Sequence, residues 1–174
     1  MEEKMNSQPP STMSVALRFG LIMGLFSVAY TVIIIAVGGN PLESDWKGWV
    51  SLAVSAVIVV FAHKNFKDNG DGFMSYGQGL GIAFLSVLIS GVIGGIFLFV
   101  YINFIDTGVM EDLMQKTSQK MEEQGQSEEA IEMALSFTKK FFWAFYAFGL
   151  AFGSLIIGLV ISIFTQKKNP EPFA

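Results

Sequence analysis

Four long apolar runs, almost free of charged residues, dominate the hydrophobic pattern of this chain. They cover residues 14–37, 46–62, 78–105 and 141–164 and are separated by polar stretches. A helix needs about 20 apolar residues to cross a hydrocarbon core roughly 30 Å thick. Three runs reach this length and the second falls slightly short. The pattern predicts an integral membrane protein with four transmembrane helices.

The runs are apolar around the whole helix, not along one stripe. A helix on the surface of a soluble protein keeps a polar face, and residues 28–37 and 91–101 offer none. Four such helices in a chain of 174 residues are too many to bury one another. We therefore expect lipid to cover their outer faces.

The polar stretches contain the residues that end and begin helices. Residues 37–41 include two glycines and a proline, which end the first helix. After the second run, Asn-Gly at 69–70 and Asp-Gly at 71–72 are strong turn dipeptides. Ser75, followed three residues later by Gln78, predicts a capping box at the start of the third helix.

Residues 106–140 form the only sizeable polar segment, and their eight acids and four lysines give it a net charge of −4. Apolar residues recur there at helical spacing on both sides of Gly125. We predict a helical hairpin that bends at residues 124–127 and joins the third and fourth membrane helices. Either its two arms bury each other's apolar stripes, or the methionine-rich stripe binds a partner. The stripe residues are Val109, Met110, Leu113, Met114, Thr117, Met121, Ala130, Ile131, Ala134 and Leu135.

Composition removes several kinds of chemistry. The chain is 52% hydrophobic and 15% charged, has no cysteine and contains His63 as its one histidine. Cysteine-ligated metals, thiolate nucleophiles and paired-histidine metal sites are therefore excluded. We expect no catalytic, cofactor-binding or metal-binding residues, and we expect His63 to be an interfacial polar residue. The alternative is a membrane enzyme that uses the loop from His63 to Asp71 on a lipid substrate.

Small residues recur at a spacing of four, which lets membrane helices approach closely. We expect these positions to pack the bundle internally, and contacts between copies of the chain are the alternative. The helix-packing candidates are Gly20, Gly24, Gly77, Gly81, Gly91, Gly95, Gly149, Gly153 and Gly158.

The centres of the four runs contain hydroxyl groups but no ionisable side chain. Transporters and proton relays usually place ionisable groups there, so a proton-coupled carrier is disfavoured. Serine and threonine can instead bond to a preceding carbonyl of their own helix. The hydroxyl residues are Ser27, Thr31, Ser51, Ser55, Ser86, Ser90, Ser154 and Ser162.

Six lysines and arginines near the membrane fall on one side of the predicted bundle and five on the other. Positive charge marks the cytoplasmic side, so we expect both termini in the cytoplasm and the acidic hairpin outside. The first run is too long for a signal peptide and lacks a basic leader. We expect a disordered cytoplasmic tail at 1–13, one membrane domain at 14–168 and a short C-terminal tail at 169–174.

The stretch Gly-Phe-Met-Ser-Tyr-Gly-Gln-Gly at 72–79 leads from the turn into the third span. Together with Phe-Ala-His-Lys at 61–64 and Tyr-Ile-Asn-Phe-Ile-Asp at 101–106, it resembles the bacterial domain-of-unknown-function family 4199. The likeness extends over residues 15–168. It implies four helices and a place in the bacterial inner membrane. The family has no established activity, cofactor or catalytic residue to transfer.

The expected fold is therefore all-α, an integral membrane four-helix bundle with an extramembrane helical hairpin between helices 3 and 4. We expect a non-enzymatic multi-pass protein of the cell inner membrane, acting through helix–helix association or as an accessory subunit. Its expected partners are the lipid bilayer and either a second copy of the chain or another membrane protein. We expect no nucleic-acid partner. The alternative is a small transporter or channel component.

Overall fold

A computed structural model of the chain describes residues 10–43 and 46–169. Within them the chain forms five α-helices and one π-helical segment, and these confirm the all-α fold. The elements are α1 (Thr12–Ala36), α2 (Trp46–Asp68), α3 (Tyr76–Val100), the π-helical segment Tyr101–Ile105, α4 (Gly108–Glu123) and α5 (Glu128–Thr165). Of the two expected tails, 1–9 and 170–174 lie outside the described residues, and residues 12 and 13 already belong to α1.

Serine side chains begin three of the helices. Ser11 accepts a hydrogen bond from the backbone N–H of Ser14 at 3.1 Å, and Ser127 accepts one from Ala130 at 3.3 Å. At α3 the predicted capping box is confirmed, because Ser75 Oγ accepts from the Gln78 N–H at 3.2 Å and Gln78 Oε1 accepts from the Ser75 N–H at 2.8 Å. Each cap satisfies a backbone donor that has no partner within its helix.

The second helix is longer than its apolar run. It continues to Asp68 and has 23 residues, so its length is sufficient for a span despite the polar residues at its end. The third helix ends at Val100, and the π-helical segment carries the chain on to Ile105. This change of helix type separates α3 from α4.

Helix α3 occupies the centre of the bundle, between α1 and α5. Gly20 of α1 is so close to α3 that a Cβ there would lie 2.8 Å from Ile89 Cβ. On the other side, a Cβ at Gly95 would lie 2.9 Å from Tyr146 Cε1 of α5. Because glycine has no side chain, α1 and α5 both pack closely against α3. Close approach strengthens dispersion, which is the main attraction between membrane helices.

The predicted helical hairpin is present between α3 and the membrane part of α5. Helix α4 ends at Glu123, and the chain turns through Gly125, whose φ of +75° suits glycine, into α5. Helix α5 has 38 residues and is roughly 57 Å long at the α-helical rise. Because hydrocarbon accounts for about 30 Å of that length, residues 128–140 project beyond the membrane as an arm.

Among the described residues, four helices are long and apolar enough to cross a membrane. Within their most apolar windows only 17% to 39% of residues are buried inside the protein. Most of this apolar surface therefore faces outward, where water would strongly disfavour it and lipid would not. The chain is a membrane protein with four candidate spans.

Candidate functional site

Polar groups from three helices meet at the end of the bundle where α2 and α5 end and α3 begins. The His63 side chain of α2 is 0% exposed there. Its Nε2 lies 2.9 Å from the Gly79 carbonyl oxygen of α3, and its Nδ1 lies 2.6 Å from Thr165 Oγ1 of α5. One imidazole therefore links three helices, and we call this set of residues the His63 junction.

The partners of the ring determine which nitrogen carries a hydrogen. A carbonyl oxygen only accepts, so His63 Nε2 donates to Gly79. Thr165 Oγ1 lies 2.6 Å from Nδ1 and 2.8 Å from the Ile161 carbonyl oxygen, and its single hydrogen serves one of them. When it serves Nδ1 the ring is neutral, and when it serves Ile161 the ring donates from both nitrogens. The neutral form avoids an unpaired buried charge.

Two further links strengthen the junction. Lys67 Nζ donates to the Thr165 carbonyl at 2.8 Å, which satisfies an acceptor at the open C-terminal end of α5. Met74 and Lys167 exchange two backbone hydrogen bonds of 2.9 Å each. The segment before α3 and the segment after α5 are therefore joined by backbone as well as by side chains.

We expected His63 to be an interfacial polar residue, and the structure adds that its side chain is buried inside the bundle. The buried positions of this part of α2 are Val59, Ala62, His63 and Phe66, which share one helical face. That spacing was visible in the sequence and could have placed His63 inside. The Asp71 carboxylate accepts from the Phe73 N–H at 3.0 Å in the neighbouring turn.

Hydroxyl groups of the spans bond within their own helix or across to another helix, and one has no partner among the described residues. Thr31 and Ser154 donate to carbonyls of their own helices, as expected. Ser86 differs, because its Oγ donates across to the Ala16 carbonyl of α1 at 3.3 Å. Ser162 is 0% exposed, and its Oγ has no hydrogen-bond partner among the described residues.

At the opposite end of the bundle, the loop between α1 and α2 is fastened to α4. Asn40 Nδ2 donates to the Val109 carbonyl at 3.1 Å and to Asp112 Oδ2 at 2.9 Å. Lys116 Nζ lies 2.6 Å from Glu43 Oε1 and 3.1 Å from Asp112 Oδ2. The first arm of the hairpin is therefore held against the loop by one amide and three charged groups.

These contacts shift two pKa values at the loop. The Asn40 amide, followed by the Lys116 ammonium, lowers the pKa of Asp112 from its ordinary 3.8. Hydrogen bonds to Glu43 and then to Asp112 raise the pKa of Lys116 from its ordinary 10.5. Both groups are therefore stabilised in their charged forms throughout the neutral range.

The projecting arm of α5 is only partly covered by α4. Val109 of α4 and Ile131 of α5 are buried, 8% and 5% exposed, so the two stripes do contact the rest of the protein. Met133 and Phe137 of the same arm are 67% and 54% exposed. A shallow groove of about 440 Å³ lies along this side between Ser127 and Phe137.

The glycine candidates separate into two groups. A Cβ would contact a neighbouring helix at Gly20, Gly24, Gly81, Gly91, Gly95 and Gly158, and it would meet open space at Gly77, Gly149 and Gly153. Gly79, which was not among the candidates, is buried against Ser162 and Met74. A methyl side chain at the three open glycines would contact none of the described residues of other helices.

The described residues contain no group of three or more histidine, cysteine, aspartate or glutamate side chains that is placed to hold a metal ion.

A family model described as a protein of unknown function, DUF4199, matches residues 18–165 of the chain. No curated protein and no solved structure matches it.

Proposed function

The chain belongs to the DUF4199 family of proteins of unknown function, and from this premise we propose that it is a non-enzymatic bacterial inner-membrane protein that acts by self-association. The helical arm of α5 is the surface that we assign to this contact. The proposal includes cytoplasmic termini and an external hairpin. The lysine and arginine count supports that orientation.

One observation carries the proposal, namely the apolar stripe of α5 that continues past the membrane boundary. Exposed apolar side chains recur along one side of α5 at steps of three, four and seven residues. They are Met133, Phe137, Phe141, Phe148, Phe152, Leu155 and Leu159. Lipid covers the later members, but Met133 and Phe137 precede the charged pair at 139–140. Water disfavours exposed apolar surface by about 25 cal/mol per Å².

A second copy of the chain is the partner that fits this stripe. Copies inserted in the same direction carry their α5 helices parallel to one another, and a two-fold axis along the membrane normal brings identical faces together. Steps of three and four residues are the spacing with which parallel helices interlock. The arm acids Glu128 and Glu132 lie to the side of this stripe by helical position. Glu129 lies one turn before Met133 on the same side and lines the same groove, so the contact is centred on residues 133–137 and leaves the exposed Glu129 at its outer end.

Disulfide cross-linking in native membranes tests the proposal directly, because the natural chain has no cysteine. Met133→Cys and Phe137→Cys should each give a covalent dimer under mild oxidation, since a two-fold axis places each residue near its own copy. Ser136→Cys is the matched control. It is also exposed and nearly isosteric with cysteine, and it lies about 100° around the helix from Phe137 and about 60° from Met133. It should give far less dimer than either.

Cross-linking at 136 as strong as at 137 would indicate random collision and would overturn the proposal. Absence of any dimer at 133 and 137, in membranes where both thiols react with a maleimide, would overturn it as well.

The second candidate function is a small transporter or channel component. Its support is the seam between α3 and α5, where Ser154 and Ser162 of α5 are buried and Ser162 Oγ has no hydrogen-bond partner among the described residues. Solute flux into proteoliposomes that is abolished by a bulky residue at Gly91 would favour this function over self-association.

A further inference from the structure

We propose that the groove beside the His63 junction binds the phosphate headgroup of an anionic phospholipid through Lys167 and Lys168. This site lies at the opposite end of the bundle from the arm of α5, so it is independent of the self-association proposed above.

The groove has a volume of about 670 Å³ and lies between the turn that precedes α3 and the segment that follows α5. Its inner side is apolar, because Phe66 and Met74 are buried and contribute carbon atoms to the lining. The two lysines and the polar residues Ser75 and Gln78 also line it. A ligand that fits both parts has an apolar body and a polar head.

The polar groups of the lining are mostly hydrogen-bond donors. The ammonium group of Lys167 lies over the Phe73 ring, with Nζ 5.4 Å from the ring centre, so it is at the groove. Neither Lys167 nor Lys168 forms an ion pair with a carboxylate among the described residues. In the capping box the Gln78 carbonyl oxygen is already occupied by the Ser75 N–H, which leaves the Gln78 amide nitrogen as a donor. Donors of this kind recognise phosphate oxygens.

The one acid in the lining competes little for these donors. Asp71 accepts from the Phe73 N–H within its own turn, and the two lysines lie on the segment after α5. Around this end of the bundle, the described residues include five cations and two acids, a net charge of +3. They are Arg18, Lys64, Lys67, Lys167 and Lys168 against Asp68 and Asp71. The local field therefore favours an anion.

The backbone around the groove is held in place. The two hydrogen bonds between Met74 and Lys167 fix the chain at the lysine, so its side chain starts from a defined position. The groove also lies where the apolar outer faces of α2, α3 and α5 end, which is the depth at which lipid headgroups lie. The phosphate of a phospholipid would accept hydrogen bonds from the donors, and its glycerol and first methylenes would contact the apolar side of the groove. Free phosphate would contact only the donors.

The test is native mass spectrometry of the full chain in neutral detergent with three probes added in turn: phosphatidylglycerol, phosphatidylcholine and inorganic phosphate. Phosphatidylglycerol should remain bound to the wild type, and phosphatidylcholine should not. The double variant Lys167→Gln with Lys168→Gln should weaken phosphatidylglycerol binding about tenfold or more. The matched control is Lys139→Gln with Lys140→Gln, an adjacent lysine pair at the other end, which should bind as the wild type does.

The glutamine variants keep the backbone bonds of Lys167, and their circular dichroism should match that of the wild type. Equal loss of phosphatidylglycerol in both double variants would overturn the proposal, because it would indicate attraction by overall charge. Equal binding of phosphatidylcholine would do the same. Displacement of the lipid by millimolar inorganic phosphate would also overturn it, because the groove would then be a site for a free anion.

Discussion

The Nε2 atom of His63 donates a hydrogen bond of 2.9 Å to the carbonyl oxygen of Gly79, deep inside the end of a membrane bundle. That carbonyl belongs to the first turn of α3, and the other ring nitrogen contacts the last residue of α5. Both ring nitrogens of this side chain therefore connect helices.

Because His63 is the one histidine of the chain, its ring can be observed alone. Nitrogen-15 NMR of histidine-labelled protein at pH 7 should show a neutral ring with its hydrogen on Nε2, since Nε2 faces a carbonyl and Nδ1 faces a hydroxyl. A ring with its hydrogen on Nδ1, or one that averages between the two forms as it does in water, would contradict the junction. The variant Thr165→Val should remove the partner of Nδ1 and leave the signal of Nε2 in place.

Close packing between α1 and α3 depends on Gly20. A Cβ at that position would lie 2.8 Å from Ile89 Cβ and 3.0 Å from the Ser86 carbonyl oxygen, and neither atom is a flexible side-chain end. Gly20→Ala should therefore lower the free energy of unfolding by about 1–3 kcal/mol. The control Gly149→Ala meets open space, so it should be neutral or gain up to about 1 kcal/mol from helix propensity.

Thermal unfolding in detergent, followed by circular dichroism, measures both alanine variants. Equal midpoints for Gly20→Ala and the wild type would mean that α1 does not pack on α3 as described.

The contact between Asn40 and Asp112 predicts a pH dependence of stability. The pKa of Asp112 is lower in the folded protein than its ordinary 3.8, so its contribution is present above pH 3.8 and is lost as the pH falls through the lowered value. The difference in midpoint between the wild type and Asp112→Asn should therefore be constant near neutral pH and shrink in strong acid. Lys116 has a raised pKa, so its contribution is lost only at alkaline pH above 10.5.

The matched control for this pH profile is Glu111→Gln, because Glu111 precedes Asp112 on α4 and has no hydrogen bond to the loop among the described residues. Its difference from the wild type should not follow the profile of Asp112→Asn. Identical profiles for the two variants would assign the effect to net charge and not to the contact with Asn40.

The features that could be predicted from the sequence are those that depend on neighbours along the chain. The helix bend at Gly125 and the capping box of Ser75 are local, and both are present. The spacing of His63 from Val59, Ala62 and Phe66 indicates a buried helical face, but its partners were not predicted, because Gly79 lies on another helix and Thr165 is 102 residues away. The attachment of Asn40 to Asp112 is likewise long-range, and an isolated asparagine after two glycines looks like a turn residue and no more.

Accessibility of single cysteines tests the central claim, that the apolar helices cross the membrane, at α3, the helix at the centre of the bundle, because no native thiol interferes. Asn69→Cys lies in the turn between α2 and α3, and Gln124→Cys lies at the tip of the hairpin. In intact cells an impermeant maleimide should label Gln124→Cys and leave Asn69→Cys unlabelled until the membrane is opened. Labelling of both positions from the same side, with the protein still retained in the membrane, would contradict the account.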